Sequence, residues 1–355
     1  MKNGFKPIKF PADELPHDKI IEWWYFNGLL TDEDGNQFSF MHAFFKANPR
    51  KVKLPLMNKL PVSSVYFEHS MITDIKRQEF YSSVNPICVP LPDHNSAPLI
   101  FFHFLTRPGA ASYLSEVKPF FYHLKAENFD IFMESAKPPL LENQTGFLEV
   151  QPGRTTWYYS LTQLKTEGYI TVKGKRRKVS GLSWHDHQWA DAPYANDFWI
   201  WFSLQLKNGL DIVCFEYGRD RKTKLASIID KNSIQKTYPV EIVPGNDSWV
   251  SSVTGATYPQ VWRINIPEKK IEIVVKSLNR NQEINYGTIN YWEGGLSVEA
   301  RISGRIVKGQ GFAELVGFPR QKKLAAIYQQ RFKAEFMKKW NGFGKEAKKQ
   351  FGKFI

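Results

Sequence analysis

Apolar and polar residues alternate over short stretches between residues 22 and 318, and Gly, Pro, Asn or Asp interrupts them about every eight to twelve positions. An alternation with period two is typical of a strand, because successive side chains point to opposite faces of a sheet. The longer period of an amphipathic helix is nearly absent from this part of the chain. Many short strands favour antiparallel barrels or sandwiches, so the pattern predicts an all-β protein.

The strand candidates form two series, one on each side of residues 189–196. An Asp-Ala-Pro sequence breaks the alternation there, and proline cannot donate a backbone hydrogen bond within a central strand. The chain is long enough for one large hydrophobic core or two moderate ones. We therefore predict an N-terminal β-barrel domain at residues 1–190, a C-terminal barrel domain at residues 191–320, and a separate tail at residues 321–355.

The tail has a different pattern, in which large apolar residues recur at three- and four-residue spacing with lysines on the other face. These residues are Leu324, Tyr328, Phe332, Phe336, Trp340, Phe343 and Ala347. The spacing predicts a basic amphipathic helix. Such a helix either makes peripheral contact with a membrane, attracted by anionic lipid and anchored by its aromatic residues, or packs on a barrel with its lysines in water. Both alternatives stay open for residues 321–355.

The net charge of +13 raises the question of a nucleic-acid partner, but much of it belongs to the tail. Residues 321–355 contain ten Lys or Arg against two Glu, so the body of the chain is only mildly basic. A basic run at residues 173–178 lies between two strand candidates and is interpreted as the solvated tip of a hairpin. We therefore expect no nucleic-acid partner.

The two cysteines, Cys88 and Cys214, do not supply a disulfide framework, and both can stay reduced. No apolar run is long enough to span a bilayer, and the first residues lack the apolar segment of a secretory signal. These features predict a cytoplasmic protein, which is also membrane-associated if the tail binds lipid.

Residues 181–217 combine four tryptophans, two histidines and several carboxylates. An Asn-Gly pair at positions 208–209 is a strong hairpin signal, because both central positions of a type I′ turn need positive φ. With a two-residue loop, Trp201 faces Glu216 across the hairpin. One face of the hairpin then holds Trp199, Trp201, Ser203, Gln205, Ile212, Cys214 and Glu216.

On this mostly apolar face, the carboxyl of Glu216 is predicted to lie opposite an indole. Burial disfavours the charged form and raises the pKa of a carboxyl group, which leaves a neutral acid able to donate a proton. The alternative is an inert, hydrogen-bonded glutamate at a barrel rim. The pattern makes Glu216 a candidate general acid, and the neighbouring side chains of Trp199, Trp201 and Cys214 become candidate substrate-binding residues.

A second aromatic hairpin lies near the N-terminus. Its arms are EWWYFNGLL at residues 22–30 and QFSFMHAFF at residues 37–45, on either side of an Asp-Gly turn. The two hairpins suggest that the chain contains two similar β halves. By this analogy Trp24, Tyr25 and His42 are further candidates for substrate binding.

Four motifs carry a family resemblance: EWWY at 22–25, YYS at 158–160, GLSWHDHQW at 181–189 and GQGFAELVG at 309–317. In this order and spacing they resemble the AttH-like family, which includes the carotenoid 1,2-hydratases, also called hydroxyneurosporene synthases. The resemblance covers roughly residues 20–318 and implies two lipocalin-like antiparallel β-barrel domains packed together. It does not extend to the tail.

In the hydratases, as the resemblance implies, an acidic residue protonates an isolated alkene without any cofactor, and water adds to the cation. The family's motif histidine and the tryptophan after it correspond to His187 and Trp189. A tyrosine and an aspartate on a later strand correspond to Cys214 and Glu216. The resemblance thus implies a cofactor-independent hydro-lyase for an extended apolar molecule such as an isoprenoid, polyene or lipid. The candidate catalytic residues are Glu216, His187, Trp189 and Asp186.

Other interpretations remain. Two aromatic-lined barrels without a nucleophile motif suit a non-catalytic carrier of an apolar ligand, and a pericyclase-type catalyst would cyclise a polyene by folding it. A metal site would use His185 and His187 on one strand face. Its oxygen ligand would come from Asp186, Asp191 or Glu216. The other histidines are scattered through the first 123 residues, so we expect no metal.

Overall fold

The computed structural model describes residues 6–52, 62–90, 100–104, 111–193, 197–219, 223–286, 289–323, 325–327 and 329. Nearly all of the regular structure in these residues is β-strand, arranged as two large antiparallel sheets and one small strand pair. The predicted all-β class is therefore confirmed, and the two large sheets fit two lipocalin-like domains.

The first sheet has twelve strands. They are β1 (Ile21–Asp32), β2 (Gln37–Ala47), β3 (Val65–Asp74), β4 (Glu79–Pro90), β5 (Ile100–Phe104), β6 (Ala111–Lys118), β7 (Phe121–Ala126), β8 (Phe129–Ser135), β9 (Leu140–Leu141), β10 (Phe147–Gln151), β11 (Arg154–Val172) and β12 (Lys175–Ala190). Strand β11 pairs with β12 on one side and with β8 on the other. Hydrogen bonding therefore runs around a closed ring, which we call the first barrel.

The second sheet has ten strands. They are β13 (Trp199–Leu206), β14 (Asp211–Tyr217), β15 (Thr223–Ile229), β16 (Gln235–Tyr238), β17 (Glu241–Pro244), β20 (Val261–Ile266), β21 (Ile271–Ser277), β22 (Glu283–Tyr286), β23 (Ile289–Ile302) and β24 (Arg305–Val316); β18 (Ser248–Val250) and β19 (Thr257–Pro259) form the separate pair. The order is β16-β15-β14-β13-β24-β23-β21-β20-β17, with β22 on β23. Within the described residues the two end strands, β16 and β17, are not paired with each other. This sheet is therefore a curled half-barrel and not a closed ring.

Helical structure is limited to short pieces in the described residues. Three 3₁₀ helices cover Ala12–Glu14, Glu142–Gln144 and Pro267–Lys269. No helix in this part of the chain has the length and apolar character that a membrane span requires. Most of the predicted amphipathic helix lies outside the described residues, although residues 325–327 are helical.

Three large apolar clusters hold the fold together. One fills the first barrel, one covers a single face of the second sheet, and the third lies between the two sheets. The third cluster contains Tyr25, Met41, Tyr158 and Trp184 from the first barrel, and Trp201, Phe215, Tyr291 and Phe312 from the second sheet. Because side chains alternate along a strand, β1 and β12 contribute to the barrel interior with one face and to the interface with the other.

The β13–β14 hairpin shows that the predicted register is wrong by one residue. Its loop contains three residues, 207–209, and Gly209 adopts the left-handed conformation with φ +82°. Trp201 therefore faces Phe215 and not Glu216. A three-residue loop with glycine in this conformation is a common alternative to the two-residue turn. Since strand side chains have period two, the shift places every β14 side chain on the opposite face from the one predicted.

The basic run predicted as a hairpin tip at residues 173–178 lies at the end of the β11–β12 hairpin, but only Lys173 and Gly174 form the turn, and residues 175–178 are the first residues of β12. Lys173 and Gly174 both have positive φ, at 52° and 73°, which is the two-residue turn. The Lys173 ammonium lies 2.6 Å from the carboxylate of Glu79. Part of the run's positive charge is thus already neutralised by neighbouring strands.

Candidate functional site

The structure distributes the predicted site residues over three places. Trp24, His42, His187 and Trp189 lie inside the first barrel, Cys214 and Glu216 on the core face of the second sheet, and Tyr25, Asp186, Trp199 and Trp201 between the two sheets. The last group is the only one of the three that combines residues from both sheets.

Glu216 does not lie opposite Trp201. It lies opposite Ile200 in the hairpin, and its carboxylate is 3.0 Å from the ammonium of Lys224 on the neighbouring strand. Cys214 is buried in the apolar cluster on the same face. The corrected register therefore removes the hairpin argument for Glu216 and Cys214. The correspondence that the family resemblance implies for these two residues stays a prediction.

His187 points into the first barrel. Its Nε2 lies 3.0 Å from Oε1 of Glu22, its Nδ1 lies 3.3 Å from the Tyr159 hydroxyl, and the Trp24 ring stacks on it at a centroid distance of 4.6 Å. Burial lowers the pKa of His187, although the Glu22 carboxylate opposes that shift. His187 and Asp186 are consecutive residues of β12, so their side chains point to opposite faces of the sheet.

His42 is also inside the first barrel, between the rings of Phe44 and Phe129. Burial lowers its pKa to about 3, so its imidazole is neutral at physiological pH. The carboxyl of Glu68 is 3.7 Å away, and burial raises the pKa of that carboxyl to about 7. The expected role of His42 in a common site with Trp201 is not supported by this position.

Asp186 is buried between the sheets, and three side chains donate hydrogen bonds to its carboxyl group. Ser160 Oγ and Trp184 Nε1 each donate to Oδ1 at 2.6 Å, and the Tyr158 hydroxyl donates to Oδ2. Burial is the largest effect and raises the pKa of Asp186 to about 7, although these hydrogen bonds oppose it. Trp201 Nε1 of the second sheet donates to the Tyr158 oxygen at 2.9 Å. The network therefore joins both sheets.

Two further carboxyls approach from the second sheet. Glu293 of β23 and Glu314 of β24 lie directly opposite each other, and their side chains hydrogen-bond to one another. Burial, followed by the charge of Glu314, raises the pKa of Glu293 well above its usual range. Burial raises the pKa of Glu314 to about 7, although a hydrogen bond from Trp199 opposes the rise. Two carboxyls so close cannot both ionise easily, so the pair holds a proton.

Aromatic side chains surround these carboxyls. Tyr25 of β1 is buried close enough to the acids for burial and their charges to raise its pKa well above the ordinary value. Its ring meets Trp201 edge-on at a centroid distance of 5.6 Å, and Trp201 meets Trp184 at 6.4 Å. On the other side, the Tyr291 hydroxyl is hydrogen-bonded to Nδ1 of His69 on β3. The walls are therefore apolar rings with polar atoms directed inward.

Asp186, Glu293 and Glu314 together form what we call the interface acid cluster. Asp186 and Glu293 are only 3% and 2% exposed. Because burial raises all three pKa values, the cluster keeps carboxylic-acid protons near neutral pH, where an exposed carboxyl would be ionised. Such an arrangement can act as a general acid, and the nearby indole faces can stabilise a cation.

Sequence reasoning did not identify Glu293 or Glu314 as site residues. Both glutamates interrupt an apolar strand, within YWE at 291–293 and FAEL at 312–315. This is the same signal that drew attention to Glu216, so it could have found them. The sequence did not show that β23 and β24 pair in the register that brings the two glutamates together.

One group in the described part of the chain has the spacing of metal ligands, and it lies away from the interface acid cluster. It consists of His17, Glu22 and His187, whose ligand atoms are all within 4.8 Å of one another. His185 is not part of it, because its Nδ1 lies 3.1 Å from the Tyr25 carbonyl oxygen. The histidine pair considered from the sequence is therefore not joined by a shared carboxylate.

Comparison with solved structures shows the same fold in three proteins. A protein described as AttH from Nitrosomonas europaea matches with a TM-score of 0.69 and 23% identity, covering 88% of this chain and 98% of that one. Kievitone hydratase from Nectria haematococca matches with a TM-score of 0.64 and 18% identity, covering 89% and 94%. CghA, solved with Sch210972, matches with a TM-score of 0.54 and 11% identity, covering 86% and 90%.

Sequence comparisons give the family. No curated protein matches the sequence. The AttH-like family profile matches residues 2–318, which includes every strand of both sheets. The chain therefore belongs to the AttH-like family.

Proposed function

We propose that the interface acid cluster is an active site, in which a protonated carboxyl donates its proton to a carbon–carbon double bond of an extended apolar substrate. The observation that carries the proposal is the Glu293–Glu314 pair, directly opposite in neighbouring strands, with Glu293 buried and Glu314 partly buried. Its proton is available near neutral pH because burial raises both pKa values. Protonation of an alkene needs such a strong, water-excluded acid.

The proposed reaction balances without a cofactor. The proton of the Glu293–Glu314 pair forms a C–H bond with one alkene carbon, and the electron pair of the double bond is used in that bond. The other carbon becomes a cation, which the faces of Trp199 and Trp201 stabilise. Water then attacks the cation and loses a proton to the ionised carboxylate, which restores the acid.

Asp186 has a supporting role in this proposal. Its hydrogen bonds from Ser160 and Tyr158 fix the position of its carboxyl group on the first-barrel side of the interface. Its charge also contributes to the raised pKa of Glu314. Asp186 therefore keeps the proton on the opposite pair and is placed to orient the attacking water.

One structural relative is named a hydratase, which supports this class of chemistry, and another, CghA, was solved with Sch210972. Their identity to this chain is low, so the substrate of this protein is part of our proposal. We propose an isoprenoid, polyene or related lipid, since the walls of the interface are aromatic and apolar. Protonation without water capture would instead isomerise or cyclise the same substrate.

The test uses the full-length protein with two probes, an acyclic carotenoid and kievitone, in deuterium oxide and in water labelled with heavy oxygen. Hydration predicts a product heavier by one water, with the heavy oxygen and one deuterium bound to carbon. Isomerisation predicts an unchanged formula with deuterium incorporation. The Glu314→Gln variant should lose turnover, whereas Glu299→Gln, an exposed glutamate of β23, should keep it.

The outcomes separate catalysis from transport. If native mass spectrometry shows that wild-type protein retains a probe but never converts it, the protein is a carrier and the proposed reaction is wrong. If Glu314→Gln and Glu293→Gln both turn the probe over at the wild-type rate, the interface acid cluster is not the proton donor.

A further inference from the structure

The N-terminal arm, residues 6–20, covers one end of the first barrel and brings a histidine into it. Phe10 meets the ring of Tyr159 at a centroid distance of 4.8 Å, and Trp24 Nε1 donates to the Glu14 carbonyl oxygen at 3.0 Å. Residues that face the barrel interior thus hold the arm in place. His17 of the arm lies beside the side chains of two barrel residues.

Three side chains converge at this point from distant parts of the sequence. His17 Nδ1 is 2.7 Å from Glu22 Oε1, and His187 Nε2 is 3.0 Å from the same oxygen. Glu22 and His187 are fully buried, and His17 is mostly buried. Two imidazole nitrogens and a carboxylate oxygen are the ligands that zinc and related divalent ions prefer.

The remaining nitrogen of each imidazole also has a partner. His17 Nε2 lies 3.2 Å from the carboxylate of Asp13, and His187 Nδ1 lies 3.3 Å from the Tyr159 hydroxyl. In metal sites, a ligating histidine characteristically donates its other N–H to a carboxylate, carbonyl or similar oxygen, which fixes the tautomer and the ring orientation. Both histidines meet this condition.

The surroundings fix the ligand atoms further. Trp189 stacks on His17 with centroids 3.9 Å apart, and Trp24 stacks on His187. The other oxygen of Glu22, Oε2, accepts from the His17 backbone N–H at 2.8 Å. Oε1 is therefore the oxygen that is directed between the two imidazoles.

We propose that His17 Nδ1, Glu22 Oε1 and His187 Nε2 bind a divalent transition-metal ion of the zinc class, with a fourth position for water. The ion joins the N-terminal arm to β1 and β12 and so closes this end of the first barrel. The site lies on the opposite face of β12 from Asp186, and it is separate from the interface acid cluster. The ammonium of Lys46 lies 3.7 Å from Oε2 of Glu22, so it competes with the metal ion for the charge of this carboxylate.

The experiment measures metal binding by the full chain after treatment with a chelator. The protein is titrated with Co²⁺, whose visible absorption reports tetrahedral coordination by nitrogen and oxygen, and Zn²⁺ is then added as a competitor. Elemental analysis gives the stoichiometry after dialysis. We expect one equivalent of metal, and an affinity reduced at least ~100-fold in His17→Ala because one ligand is lost.

His123→Ala is the matched control, since His123 is another partly buried histidine beside a carboxylate, 2.9 Å from Asp130, but it alternates with the core residues Tyr122 and Leu124 and lies on the other face of β7 from the barrel interior. It should bind metal like the wild type. Asp13→Asn changes only the outer partner of His17 and should weaken binding about 10-fold. Binding below one equivalent, or equal binding by the wild type and His17→Ala, would show an ordinary ion-pair cluster and overturn the proposal. Catalytic turnover is not the readout, so the result is independent of the function proposed above.

Discussion

Glu22 and Glu293 are both almost completely buried, yet their environments favour opposite protonation states. Two histidines hydrogen-bond to Glu22 and lower its pKa despite burial, so it is a carboxylate. Glu293 faces another carboxyl and the tyrosine-rich interface, so its pKa is raised well above the usual range and it is a neutral acid. The comparison shows that burial alone does not decide the charge of a carboxyl; the charge of its nearest partners does.

The largest expected effect is on catalysis by the neutral acid pair, Glu293 and Glu314. With a substrate in hand, Glu293→Gln and Glu314→Gln should each reduce kcat by ~10²–10⁴-fold, because either change removes the shared proton. The double variant should be hardly slower than either single variant, since the two carboxyls act as one unit. Steady-state kinetics of the three variants checks this. Multiplicative losses would show that the two glutamates act separately.

A second prediction concerns stability and uses two glutamates at the same end of the first barrel. Glu22→Gln should reduce the free energy of unfolding by about 3 kcal/mol at neutral pH, because it removes the buried carboxylate that hydrogen-bonds to His17 and His187 and leaves the mostly buried Lys46 without its anion. Glu14→Gln should cost less than about 1 kcal/mol, since burial raises the pKa of Glu14 to about 8 and a neutral amide replaces a neutral acid.

Urea denaturation in the presence of a chelator measures both variants without any contribution from bound metal. Equal losses for the two substitutions would mean that the charge of Glu22 is not what stabilises this region. The claim that Glu22 is a stabilising buried carboxylate, in contrast to the neutral Glu293, would then be wrong.

The smallest effect is in the pH dependence of stability. The pKa of Glu314 is raised in the folded state, so its contribution to stability is complete below about pH 4.5 and is lost as the pH rises to about 7. Glu22 has a lowered pKa, so its contribution is present above about pH 4.5 and is lost as the pH falls. Glu314→Gln cannot ionise, so its free energy of unfolding should fall by ~1–2 kcal/mol less than that of the wild type between these pH values.

Denaturation midpoints at several pH values test this difference, with Glu299→Gln as the exposed control. Parallel curves for the wild type and Glu314→Gln would show that Glu314 titrates normally, which would remove the basis for a neutral acid at the interface.

Much of the architecture could be read from local sequence. Short strands follow one another between residues 22 and 318 as the alternation predicted, and a hairpin turn lies within the predicted tip at residues 173–178. Whether a segment forms a strand depends on its own side-chain pattern and on the turn residues beside it, and both signals are local in the sequence. The domain boundary near residue 190 stays a prediction, although the first sheet ends at Ala190 and the second begins at Trp199.

The site could be predicted only in part. Of the predicted site residues, Asp186 and Trp201 do lie close together between the sheets, where both hydrogen-bond to the Tyr158 hydroxyl. The predicted position of Glu216 was wrong because a two-residue and a three-residue loop both fit an Asn-Gly sequence. The choice between the two loops decides which face of the hairpin the β14 side chains share with those of β13.

The sequence by itself determined the strand content, the AttH-like family and the presence of carboxylates within aromatic strands. The tertiary structure alone decided which of those carboxylates meet, since Asp186, Glu293 and Glu314 come from three different strands of two sheets. The physical reason is that the local pattern shows which residues of one strand share a face. Loop length and strand pairing decide which residues of other strands lie opposite them. The pKa of a buried acid depends on that opposite partner.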